Sequence, residues 1–169
     1  MIMAEGPRYK MKLKRRKEGI TDYGQRLRLL KSGKTRAVVR LSNKHIRVQF
    51  IDYHPEGDRV ESAATSQHLE DYGWEGYGNN MPASYLVGFF AGKKALKKGI
   101  DEAVLDIGLN HPEKGGKIFS ALNGMLDAGI DIPHDPDILP EEGRVEGEHI
   151  DEETVENFNE VKSKLEELL

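Results

Sequence analysis

Cysteine is absent from the sequence, which excludes disulfides and thiolate metal sites and fits a reducing, intracellular setting. Long apolar runs are missing as well. The longest nearly apolar stretch, Ala83 to Gly92, falls far short of the roughly 18 residues that cross a bilayer, and no apolar signal-peptide core stands at the start. The expectation is a cytoplasmic protein with no membrane partner. Close histidine pairs are lacking too: His45, His54, His68, His111, His134 and His149 never fall at the spacing of a helical metal site. The loops "GYGNN" and "GLNHPEKGGK" have neither Walker nor GxGxxG spacing, so no nucleotide cofactor or metal is expected.

Charge, by contrast, is abundant and segregated. The chain is acidic overall, at −4, yet residues 1–50 carry a net +12 and residues 135–169 a net −10. The stretch "KMKLKRRKEG", residues 10–19, holds six cations and one acid. Such polarity points to a polyanion at one end and solvent or protein at the other. At 169 residues the chain suits one domain with a core and an appendage. We therefore divide it into a basic extension (1–20), a globular α/β domain (21–134) and an acidic strap with a C-terminal amphipathic helix (135–169).

Residues 1–20 show no hydrophobic periodicity, so no helix or strand that would be stable alone is expected there, and the arm is a disordered tail unless a partner orders it. Thr21 can cap a helix that Gly33 ends. In "TRAVVRLS" and "HIRVQFID" alternation sets Ala37, Val39 and Leu41 and Ile46, Val48 and Phe50 on one sheet face, with Arg36, Arg40, Arg47 and Gln49 on the other. Ser42 to Lys44 link the two strands as a hairpin, and a third strand is expected at Arg59 to Thr65. A helix begins near Pro82, and its Ser84, Gly88 and Gly92 leave a bare strip for close approach to a sheet. A strand in "EAVLDIGL" and a helix in "KIFSALNGMLDAG" follow. The fold class is α/β: a mixed-sheet sandwich, an antiparallel hairpin plus a βαβα unit. Val155, Phe158, Val161, Leu165 and Leu168 form a last helical stripe that needs a surface, its own domain's or a neighbouring protein's.

Nucleic-acid binding has the best physical support, because the arm, the first helix and the polar sheet face all present Lys or Arg. Tyr9, Tyr23 and Tyr53 interleave with that charge and can stack on unpaired bases. Two other readings stay open. Asp52 and Asp106, near strand ends, could hold Mg²⁺ for nuclease chemistry if a third carboxylate converged with them, and the C-terminal helix could be a protein-interaction module.

Taken in order, "GPRYK", "RRKEGITDYGQRLRLLKSGKTRAVVR", "IDYHPEGDRV", "YGWEG", "NMPASYLVGFFAGKKALKKGI", "EAVLDIGL", "GGKIFSALNGMLDAGIDIPH" and "RVEGEHI" resemble the archaeal and eukaryotic-type form of large-subunit ribosomal protein eighteen, from about Gly6 to Ile150. The resemblance implies a non-catalytic protein of the central protuberance with 5S rRNA, large-subunit rRNA and neighbouring ribosomal proteins as partners. It also implies which residues meet RNA. In the arm these are Arg8, Tyr9, Lys12, Lys14, Arg15, Arg16 and Lys17; around the first helix, Thr21, Tyr23, Arg26, Arg28, Lys31 and Lys34. On the hairpin they are Arg36, Arg40, Asn43, Lys44, Arg47 and Gln49, and in a loop before a helix Lys114, Gly115 and Lys117. Two positions depart from the family pattern: Glu75 in "GWEG", and "GGK" in place of Gly-Ser-Arg before Ile118.

Overall fold

The computed structural model describes residues 6–167. The alternating runs form β1 (Arg36–Leu41) and β2 (Ile46–Asp52), antiparallel with Val39 opposite Val48 and Ala37 opposite Phe50. β3 (Arg59–Thr65) joins the far side of β2, and the short β4 (Val104–Asp106) lies parallel to β1, giving the order β3-β2-β1-β4. β3 and β4 both run parallel to β1, so the intervening chain crosses the sheet. That crossover is α4 (Met81–Leu96), which follows the single-turn helices α1 (Lys14–Lys17) and α3 (Gln67–Glu70) and the longer α2 (Tyr23–Leu30).

The core lies on one side of the sheet. Ala37, Val39, Ile46, Val48, Phe50 and Ala64 are fully buried there, as the period of two requires. α4 is apolar nearly all round and buried along almost its whole length, as befits a central helix. Pro82 stands in its first turn, and the Asn80 side chain caps it by accepting from Ala83 N–H at 2.8 Å. α5 (Lys117–Asp127) packs beside it with Ile118, Phe119, Leu122 and Met125 inward. The bare strip of α4 meets α5 rather than the sheet: a Cβ at Gly88 would stand 2.0 Å from the Ala121 carbonyl oxygen, and one at Gly124 2.2 Å from that of Tyr85. Small residues on both helices bring the two backbones together, a pairing that one helix's spacing cannot reveal.

Inside the arm Lys14–Lys17 form a single exposed helical turn with no side-chain cap. Two local features differ from expectation. The expected "EAVLDIGL" strand is only three residues long, because the chain turns away at Gly108. The strap contains a 3-10 turn (Pro136–Ile138) and a short helix, α6 (Glu142–Glu146), before α7 (Glu152–Glu167). The stripe of α7 lies on its own domain: Phe158, Val161 and Leu165 are buried, Val155 is half-buried, and the Phe158 ring sits 5.4 Å from that of Tyr85. Leu168, like residues 1–5 of the expected extension, falls outside the described residues.

Candidate nucleic-acid interface

The side of the sheet away from α4 carries the polar positions. Register places Arg40 opposite Arg47 and Val38 opposite Gln49, so two like charges face each other across β1 and β2, an arrangement that costs stability unless something compensates. Asp106 compensates. Its backbone oxygen accepts from Arg40 Nη1 at 2.7 Å and its Oδ1 from Nη2 at 2.9 Å, while the Val39 carbonyl takes Nη1 at 2.8 Å. Gly108, with φ +62°, passes so close that a Cβ there would meet the Arg40 guanidinium carbon at 2.8 Å. Arg40 is thereby fixed in direction while its side chain stays 42% exposed.

Arg36 plays a different part from the one its alternation suggests. Its side chain is 3% exposed and bridges Asp58, at 2.6 Å, and Asp106, at 3.0 Å. Asp58 in turn takes Arg26 of α2 at 2.8 Å. The result is a chain of alternating charges, Arg26, Asp58, Arg36, Asp106 and Arg40, which crosses from the first helix over the sheet to β4. Partial burial pushes both carboxyls up, but the hydrogen bonds and positive charge of the arginines outweigh it and hold each below the usual aspartate range. Hydrogen bonding to Asp58 raises the Arg26 guanidinium further, against a smaller effect of burial. Arg36 therefore belongs to the scaffold that orients its neighbours, because a side chain so buried and doubly paired presents no donor to an outside phosphate.

α2 has no buried residue and is held over the sheet largely by polar ties. Asp22, not Thr21, caps it, accepting from Gly24 N–H at 2.8 Å and Gln25 N–H at 3.2 Å. Thr21 instead accepts from Arg15 Nε at 2.9 Å, joining arm to helix. Between α2, the arm, the sheet and the loops at 53–58 and 107–110 lies an open cleft of about 870 Å³. Tyr23 is half-buried on its wall and Tyr53 is 58% exposed at its edge. Residues 6–20, with Arg8, Tyr9, Lys12, Lys14, Arg16 and Lys17, are exposed throughout, as are Arg28 and Lys31 on and just after α2.

A second cluster gathers at the hairpin tip. Tyr77 Oη donates to the Asn43 carbonyl at 2.5 Å, Asn79 Nδ2 to that of Ser42 at 2.6 Å, and Lys117 Nζ to that of Asn79 at 3.3 Å. Asn43, Lys44 and the first turn of α5 are thus brought together by the "GYGNN" loop, with Lys114 exposed and Gly115 half-buried nearby in sequence. Lys34 lies before the start of β1 and so, at roughly 3.3 Å per residue, about 30 Å of chain from this tip. It is tied to Glu102 at 2.6 Å, and that hydrogen bond raises its ammonium above the ordinary value. Lys34 is therefore far from the hairpin tip and lies on the link between α2 and β1.

Tyr77, Asn79 and Asp58 were not singled out from the sequence; Asp58 stood in "HPEGD", which reads as a turn. The nuclease geometry does not form. Asp52 accepts from Thr35 Oγ1 at 2.6 Å, Asp106 is filled by two arginines, and among the described residues no group of three or more His, Cys, Asp or Glu could hold a metal. Nor is any helix among the described residues long and apolar enough to cross a membrane.

Comparison with known proteins gives the same direction. The family described as ribosomal large subunit proteins 60S L5 and 50S L18 matches residues 7–102 and 97–135. The large ribosomal subunit protein uL18 of Haloquadratum walsbyi is 53% identical over 148 residues, covering 88% of this chain and 72% of that protein. The protein of the same name from Aeropyrum pernix is 54% identical over 149 residues, 88% of this chain and 70% of its own length; that of Korarchaeum cryptofilum is 55% identical over 148 residues, 88% and 76%. On the strength of a family match over most of its length and relatives at this identity, the chain belongs to the uL18 family of large-subunit ribosomal proteins.

Proposed function

We propose that this protein binds 5S rRNA and anchors it in the central protuberance, bridging it to large-subunit rRNA. Its family makes it a structural, non-catalytic constituent of the large subunit and so of the cytoplasmic ribosome. The observation that carries the finer reading is the Arg40 guanidinium, held in one direction by Asp106 yet open to solvent, beside an arm whose cations at 10–17 are all exposed. Fixed donors select a backbone geometry, and mobile cations release counterions to supply affinity.

In this reading the arm residues, Tyr23, Arg26, Arg28, Lys31, Arg40, Arg47 and Gln49 meet one stretch of RNA, and Asn43, Lys44, Lys114 and Lys117 a second. Arg36 supports them from below, and Lys34, tied to Glu102, lies on the link between α2 and β1. Neighbouring proteins would meet surfaces other than the α7 stripe, which is spent on the protein's own core.

The test is binding of the full chain, and of a chain lacking residues 1–20, to 5S rRNA with excess tRNA across a salt series. Selective binding is expected, with the logarithmic salt slope of the truncation shallower by about 0.7 to 0.9 for each phosphate that the arm no longer neutralises. Equal affinity for tRNA and 5S rRNA would overturn the proposal.

A further inference from the structure

β3 is the last strand of the sheet, with β2 on one side and no strand among the described residues on the other. Such an edge offers unpaired N–H and C=O groups to any strand that can reach it. Ser66 N–H donates inward to the Ile46 carbonyl at 3.1 Å, so alternation turns the backbone groups of Thr65 and Ala63 outward. Side chains already hold three groups of this strand. Thr65 N–H donates to His68 Nδ1 at 3.1 Å, the Ala63 carbonyl accepts from Lys94 Nζ at 3.0 Å, and the Glu61 carbonyl accepts from Lys98 Nζ. A register shift opposite Phe50 and Ile51 leaves Glu61 unmatched on β2, and a bulge of that kind also spoils an edge for pairing. Lysines at the end of a helix complement its dipole in any orientation. Lys94 and Lys98 both reach across to one strand.

We infer that His68, Lys94 and Lys98 close the β3 edge against a second copy of this chain and keep the free protein monomeric. The strand is suited to meeting its own copy. Val60 is 50% exposed, and it stands between Arg59 and Glu61. Two β3 strands paired antiparallel about Val60 set valine against valine and Arg59 of each copy opposite Glu61 of the other, an arrangement that stabilises a pair and closes with two-fold symmetry. What opposes it is the side-chain occupation of the carbonyls such a pair would use. The inference does not depend on the RNA-binding reading, since β3, α3 and the end of α4 carry none of the residues assigned to RNA.

The test is sedimentation equilibrium of the RNA-free full chain over a concentration series, for the parent and for Lys94→Met/Lys98→Met, which keeps flexible apolar stems and removes both donors. Lys10→Met/Lys12→Met takes the same charge from the arm and serves as the control, with circular dichroism to confirm folding. The parent and the arm variant are expected to stay monomeric, while the mass of the edge variant climbs with concentration towards that of a dimer. Adding Val60→Lys to the edge variant should return it to monomer, because like charges then face each other across the new pair. Lys98→Met alone, at an exposed position, should move the mass in the same direction by less, and it decides on the same readouts if the double variant fails to fold. A dimeric parent, a folded edge variant that stays monomeric throughout, association that Val60→Lys leaves intact, or equal association of the arm variant would each overturn the inference.

Discussion

Arg36 and Asp106 meet across the parallel β1–β4 pair at 3.0 Å, with side chains only 3% and 7% exposed. β4 has just three residues in register with β1, so this pair does much to fix where the last strand lies. Removing one partner of such a pair costs more than the pair itself contributes, because the other charge stays behind in a poorly solvated place. Asp106→Ala should therefore lower the unfolding free energy by about 3 kcal/mol and shift the urea midpoint down at unchanged m-value. A decrease of less than about 1 kcal/mol would mean that the network behaves as a surface one.

Asp58 and Asp106 both titrate below the ordinary aspartate range in the folded protein. On unfolding they return to about 3.9. The unfolded state then binds more protons than the native state as the solution is acidified, so the stability these groups contribute is present above their unfolded pKa and is lost as pH falls through the folded values. Unfolding measured from pH 6 down to pH 3 should show a steep acid limb in the parent protein, and a flatter one in Asp106→Asn. A parallel limb in the variant would place the acid sensitivity elsewhere.

The same ion-pair chain marks the limit of what the residues reveal in order. Alternation placed Ala37, Val39, Ile46, Val48 and Phe50 in the core correctly, because a period of two needs only local spacing. It also put Arg36 on the opposite face, which is where it lies, but not beneath Asp58 and Asp106, residues 22 and 70 positions away. Long-range pairing of that kind has no local signature. Asp106 was visible as a strand-end carboxylate, and only the structure says that it serves arginines and not a metal. The α7 stripe was likewise legible as a stripe, while the surface beneath it, Tyr85, was not.

Gly88 and Gly124 make another long-range pair whose consequence is testable. Gly88→Ala would drive a methyl to 2.0 Å from the Ala121 carbonyl oxygen, and that oxygen belongs to helix backbone which cannot swing aside. Overpacking of this sort costs roughly 1–3 kcal/mol and more when backbone must shift. The variant should melt well below the parent, with a destabilisation at the top of that range or beyond. Ser120→Ala, which removes a 2.9 Å hydrogen bond to the Met81 carbonyl in the same interface, should cost about 1 kcal/mol. An equal or larger effect of Ser120→Ala would show that the helices separate more easily than their close approach implies.

Phe158 distinguishes a helix that completes the domain from one that merely awaits a partner. Its side chain is 1% exposed and packs on Tyr85, whose hydroxyl donates to Asp127 at 2.6 Å and whose ring also carries Lys162 Nζ at 5.1 Å. Burial, followed by Asp127, pushes the Tyr85 hydroxyl far above its ordinary pKa, so Tyr85 stays a neutral donor across the range in which the protein is folded. Asn157 adds a donor to the Gly73 carbonyl at 2.8 Å and an acceptor for Glu75 N–H at 3.2 Å. With ring packing, a hydrogen bond and polar ties converging on α4 and the 72–75 loop, Phe158→Ala should cost about 3–5 kcal/mol in the isolated protein. RNA affinity of the fraction that remains folded should be unchanged, because the substitution lies behind α4 and the proposed RNA face lies beyond the sheet. A destabilisation seen only in assembled subunits would mean that the stripe serves a neighbour after all.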